Sequence, residues 1–282
     1  MVLESIIAPW KAKKKPWQML IIGFVYSTVA IFLSLWIFER HASLVMVFLT
    51  VLACAPIMYL TMKLEEGKDL EIESEKTILK EHGKALLFLI CMFAGACIAY
   101  AFWYVALSPS MVHSLFSIQT QTIADINQQV TGGFHAAGMF TKIFLNNLKV
   151  LIFCVLFSFI YGLGAIFILI WNASVIGAAI GNFIRGHMAS YTGAVGVAKL
   201  GGYAHIGSLG ILRYFIHGLP EILAYFVGGL AGSIISVAII KHDFGTKKFE
   251  KIVLDASDLI ILAILILLIS ALIEVYITPA FF

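Results

Sequence analysis

His217 and Glu221 stand four residues apart in "RYFIHGLPEILAYFVGGLAG" (213–232), a stretch otherwise apolar enough to lie in a bilayer. That spacing puts both side chains on one face of a helix. Pro220, between them, has no amide hydrogen, so the carbonyl of Ile216 loses its helical donor and adds a polar group beside the pair. Ionisable side chains inside a membrane are costly unless partnered, and they mark functional positions by default. Three chemistries are open here. The pair can join Asn146, Asn147 and Asn172 in a hydrogen-bond network that fixes helix register. It can bind a metal, with His205 as a third ligand and Glu221 as ligand or as base for a bound water. It can also pass protons or ions. The metal reading lacks the H-E-x-x-H pattern, in which two histidines reach one ion from one helix face, and His205 lies upstream across a glycine-rich break. The expectation is the structural network, with no cofactor and no catalytic residue.

The elements that must hold these residues are membrane helices. The chain has 282 residues, 61% hydrophobic and 12% charged, against roughly 25% charge in a soluble domain. Apolar runs of about 20 residues span a bilayer, and they occur at 17–38, 43–62, 85–107, 148–171, 214–240 and 259–278. The expected fold is all-α: a polytopic helical membrane protein in a single domain, 1–282, with about six full spans plus a broken or re-entrant helix pair. The net charge of +3 is small and the basic residues flank the spans, so they speak to orientation and to lipid contact, and no nucleic-acid partner is expected.

Lys11, Lys13, Lys14 and Lys15 place residues 1–16 in the cytoplasm, ahead of a first span that is too long for a secretory leader and reads as an uncleaved anchor. The charged segment 63–84, with Lys63, Lys68, Lys76, Lys80 and Lys84, returns to the cytoplasm; Glu71, Glu75 and Glu81 stand at helical spacing from its lysines. Residues 108–147 form an outer excursion with a polar run, "SIQTQTIADINQQVTGG", and a second half that reads as an interfacial amphipathic helix. Six spans would then put "KHDFGTKKFEK" (241–251) outside, against the positive-inside rule, so a crossing is missing. The glycine-rich segment 172–212, interrupted by Arg185 and Lys199, is the candidate.

Gly177 with Gly181 and Gly228 with Gly232 make small-xxx-small faces for close helix packing, or for a homodimer seam. Cys54, Cys91, Cys97 and Cys154 all fall inside spans, where a thiol packs as a small apolar group. His41, His82, His113, His135, His187 and His242 are read as solvated interface residues. No triad, P-loop or dinucleotide pattern is present.

The stretch "NNLKVLIFCVLFSFIYGLGAIFILIWNASVIGAAIGNFI" (146–184), followed by "HGLPEILAYFVGGLAG" (217–232), resembles the stage II sporulation protein M family of membrane proteins. Family members carry an asparagine opening an apolar helix, a glycine pair, an asparagine before a small-residue helix, then His-Gly-x-x-Glu and a glycine-rich helix. Asn146 or Asn147, Gly162 with Gly164, Asn172 with Gly177, and His217, Gly218 and Glu221 stand at those positions. Ala173 and Pro220 depart from the usual residues. The resemblance covers a core of 135–240. It implies a non-enzymatic membrane scaffold, whose namesake in endospore formers localises two peptidoglycan hydrolases during engulfment. Envelope proteins or such hydrolases are the partners it implies, with a channel or small-solute transporter, or less favourably a metal-dependent hydrolase, as the alternatives.

Overall fold

The structure, a computed structural model, describes residues 16–71, 75–130, 136–161, 164–188, 196–240 and 245–281. Among these residues it is helical throughout, with no strand. In chain order the helices are α1 (Trp17–Phe38), α2 (Ala42–Glu71), α3 (Glu75–Ala106), α4 (Pro109–Val130), α5 (Ala136–Tyr161), α6 (Gly164–Met188), α7 (Gly196–Ile240), α8 (Lys247–Leu272) and α9 (Thr278–Phe281). A 3-10 turn at Glu39–His41 joins α1 to α2, and a π-helical turn at Ile273–Ile277 joins α8 to α9.

Among the described residues, six stretches are long and apolar enough to cross a membrane: Trp17–Glu65, Glu81–Ala106, Gly138–Phe159, Ala165–Met188, Gly218–Ser236 and Phe249–Ile277. The first holds two helices, because Phe38 leaves helical geometry (φ −131°, ψ 40°) and the chain turns back at 39–41, packing α2 on α1. Seven membrane-length helices result among the described residues. The expected span 148–171 is not one helix: α5 ends at Tyr161 and α6 begins at Gly164. The glycine pair read as lying within a helix instead marks this junction, where Gly164 opens α6 and Gly162 lies outside the described residues. The segment 172–212 is likewise redistributed, since 172–188 completes α6 and 196–212 begins α7. Residues between them lie outside the description. Thus α6 is the crossing that the charge pattern required.

The outer excursion is also shorter than expected. It contains α4, and α5 is already helical from Ala136. Ser108 and Pro109 start α4, with the Met111 amide on Ser108 Oγ at 3.5 Å. At Phe116 the helix kinks (φ −121°, ψ 16°). A freed amide finds a partner across the bundle: Ile118 N–H donates to Ser43 Oγ at 3.3 Å. The next residue, Gln119, is wholly buried and locks α4 between α2 and α6. It accepts from Ser43 Oγ (2.7 Å) and donates to Ser43 O and Ser174 Oγ, both at 3.2 Å.

Helix α3 is the central column, flanked by α1 and α6. A Cβ on Gly23 would meet the carbonyl oxygen of Met92 at 2.0 Å, and one on Gly95 would meet that of Leu20 at the same distance. Only glycine allows backbones this close. Gly177 and Gly181 face Tyr100 and Tyr104 of α3, while Gly228 faces Leu151 and Gly232 faces Val155 of α5. The four-residue step on both partners shows that α6 runs parallel to α3, and α7 parallel to α5. Both small-residue faces are therefore occupied within the chain. Large apolar side chains such as Trp36, Phe48, Phe102, Phe153, Ile261 and Leu265 are exposed around the bundle, as lipid contact requires.

At the charged end His82 is buried, not solvated: its Nδ1 lies 3.1 Å from Glu65 Oε2, tying α2 to α3. At the opposite end Arg185 of α6 donates to the carbonyls of Leu107 and, at 3.3 Å, Val105, which α3 leaves unpaired where it stops.

Gly95→Ala is expected to lower the thermal unfolding midpoint of the detergent-solubilised protein, at a cost of about 1–3 kcal/mol from overpacking. Gly186→Ala, with open space around its Cβ, serves as the control and should leave the midpoint unchanged or slightly raised. Equal midpoints for the two variants would contradict the close α1–α3 contact.

Candidate functional site

Asn147, on α5, is buried, and its Nδ2 donates a hydrogen bond to Oε1 of Glu221 on α7. The bond links two parallel helices that share no sequence proximity. Helix α7 continues through Pro220, so the Ile216 carbonyl one turn before Glu221 lacks its usual donor. The other face of this turn is apolar: Gly218, Leu219 and Ile222 line a small cleft with Phe93 and Cys97 of α3 and Ile176 of α6.

A third group completes the site. Glu274, in the π-helical turn, lies within electrostatic reach of the Glu221 carboxyl. The π turn packs against both α5 and α7. Here the Thr278 amide bonds to Ile273 O across five residues, and Thr278 Oγ1 donates to the same oxygen at 3.2 Å. The wider turn rotates the chain between α8 and α9, and such bulges recur at functional positions. Tyr225, one turn beyond Glu221 and 2% exposed, stands in the electrostatic field of both carboxyls.

The remaining expected members sit apart. Asn146 is exposed. Asn172 turns back on its own helix, donating to Ile168 O at 2.8 Å, and joins no interhelical network. His217 belongs to α7, but its side chain lies outside the description. His205 is exposed. Among the described residues no three His, Cys, Asp or Glu side chains gather as a metal-holding group. The arrangement is a three-helix polar contact in which a carboxamide and two carboxyls can exchange hydrogen bonds or hold a small cation.

Sequence reading found Asn147 and Glu221 but missed Glu274 and Tyr225. The signal for Glu274 was available: it is an acid inside an otherwise apolar span, "ILAILILLISALIEVYI" (261–277). Glu221 lies near the start of the apolar stretch Gly218–Ser236 and Glu274 near the end of Phe249–Ile277. Both therefore lie toward the bundle end away from the short, lysine-bearing connection between α7 and α8.

The family model described as stage II sporulation protein M matches residues 84–279, more than half of the chain. The match extends beyond the resemblance read from 135–240: it takes in α3 on one side and, on the other, α8 and the π turn with Glu274. No curated protein and no solved structure matches.

Replacing Asn147 by Leu or Glu221 by Ala is expected to destabilise the protein by about 1–2 kcal/mol, and Glu221→Gln, which keeps a hydrogen-bonding amide, by less. A double-mutant cycle on thermal unfolding should show Asn147 and Glu221 coupled by more than about 0.5 kcal/mol. Asn146→Ala and Asn172→Ala should each change stability by less than that. Additive behaviour of Asn147 and Glu221 would sink the assignment of this contact.

Proposed function

Because the chain belongs to the stage II sporulation protein M family, we propose that it acts as a non-enzymatic integral membrane scaffold with α4 as its docking platform. The observation that carries this reading is the way α4 is held. Its composition is polar for a helix wedged into a membrane bundle, and one face is exposed through His113, Ser117, Thr120, Gln121 and Asp125. Its other face is fixed through Val112, Leu115, Phe116 and Gln119. A polar helix clamped by buried hydrogen bonds presents a rigid surface at low entropic cost to a partner. Envelope proteins, peptidoglycan hydrolases among them if the host forms endospores, are the partners this reading implies.

The orientation follows from charge. With seven crossings, Lys11–Lys15, the 63–84 segment and the 241–251 segment all fall on one side, and the positive-inside rule makes that side the cytoplasm of a cell-membrane protein. Then α4, Arg185 and the Glu221–Glu274 contact lie toward the outer face. A second reading, small-solute or ion transport, is favoured by that contact alone, since intramembrane carboxyls line many permeation paths.

Ser110→Cys is expected to react with an impermeant thiol reagent from outside intact cells, and Thr246→Cys only after permeabilisation; the reverse pattern would invert the topology. A photo-crosslinker at Gln121 in the native host should trap one discrete partner, and Gln119→Leu, which releases the clamp, should reduce that product several-fold. Purified protein in liposomes should give no solute or ion leak. A leak abolished by Glu221→Gln would replace the scaffold by the transport reading.

A further inference from the structure

We propose that the lipid-facing side of α5 binds an anionic phospholipid, its phosphate held by Lys149 and Asn146 with Lys142 one turn further along the same face. The inference depends on neither the scaffold nor the transport reading; only the leaflet, the outer one, follows from the orientation given above. Lys142, Asn146 and Lys149 stand at i, i+4 and i+7 in "TKIFLNNLKVLIF" (141–153), so they share one face of α5. All three are exposed. Asn147, which donates to Glu221, faces the other way, since Lys149 follows it by two residues and lies about 200° further round the helix. Leu145, Ile152 and Phe153, on the side of the lysines, are exposed as well. Of the six apolar stretches, Gly138–Phe159 is the least covered by the rest of the described chain. This side of α5 therefore meets lipid.

Lys149 is the group that demands a ligand. It lies inside the apolar stretch, at the depth of the Asn147–Glu221 contact, and makes no hydrogen bond or ion pair with any described residue. Helix α5 itself carries no acidic residue. An ammonium in that position is costly without a counter-charge. Lysine relieves the cost by laying its stem along apolar neighbours and lifting its head toward the membrane surface. The direction of α5 suits this, because helical side chains lean toward the N-terminus. Lys149 thus leans toward Asn146 and Lys142, the polar part of its face, and away from Ile152 and Phe153, where acyl chains can lie. Asn146 supplies a carboxamide donor for a phosphate or glycerol oxygen, and Lys142 supplies a second positive charge. Two ammonium groups on one face discriminate by charge: a zwitterionic headgroup brings its own cation against them, whereas an anionic one such as phosphatidylglycerol does not.

Native mass spectrometry of the full-length protein, released from nanodiscs that mix phosphatidylcholine with phosphatidylglycerol, tests this. The wild type should retain phosphatidylglycerol in preference to phosphatidylcholine. Lys149→Gln should lower that retention about fivefold, the weight of one basic residue at an anionic surface. Lys149→Arg should preserve it, and Lys247→Gln, at the exposed start of α8, should leave it unchanged. Thermal unfolding in detergent gives a second reading: added phosphatidylglycerol should raise the midpoint of the wild type but not of Lys149→Gln, and inorganic phosphate should raise neither. Equal retention of the two lipids, or retention that ignores Lys149, would overturn the proposal. So would a midpoint raised by inorganic phosphate, which makes the ligand a soluble anion, or a lipid-free dimer broken by Lys149→Gln, which gives this face to a second copy.

Discussion

Within a bilayer core no water is available to a polar group, so each one the sequence places there must be satisfied inside the protein. That constraint organises this bundle more than hydrophobicity does, since its outer apolar side chains gain little by choosing one another over lipid. Several joins between helices that do not follow one another carry a polar contact or a glycine. Thr50 and Tyr100 share a 2.9 Å bond between α2 and α3, Trp103 donates to Thr28 between α3 and α1, and Gln119 bridges α2, α4 and α6. Asn147, Glu221 and Glu274 do the same for α5, α7 and the turn after α8.

The two kinds of join have different consequences. Glycine contacts, as between α1 and α3, bring backbones into direct contact and leave no room for adjustment. They build a fixed half around α3. The Asn147–Glu221–Glu274 contact depends instead on side chains and on a π turn, so the α5–α7–α8 half is joined by polar groups that can adjust. The polar face of α4 belongs to the first half, and the intramembrane carboxyls belong to the second.

Much of this was legible in the sequence, and the failures have physical causes. Composition sets the class, and the lysine pattern alone calls for one more crossing than the apolar runs supply. The crossing was misplaced because "FIYGLGAIF" (159–167) is apolar on both sides of its glycines, so hydropathy runs unbroken through a helix end. Helix α6 was divided between two expected elements because its second half is rich in glycine and alanine, which weaken the hydropathy signal yet serve close packing against Tyr100 and Tyr104. Asn172 was expected in the network, but an asparagine in mid-helix can satisfy itself on the preceding turn, and spacing cannot distinguish the two outcomes. Glu274 escaped because its partner is more than fifty residues away and no local pattern couples them.

The account stands on one contact, in which α5, α7 and the π turn meet through Asn147, Glu221 and Glu274. Solid-state NMR on labelled protein in lipid bilayers measures it most directly, through correlations between the side-chain carboxyl carbons of Glu221 and Glu274 and from the Asn147 side-chain nitrogen to Glu221. Both correlations are predicted, as close-range contacts. Their absence, with both glutamates showing the shifts of solvated carboxylates, would contradict the account.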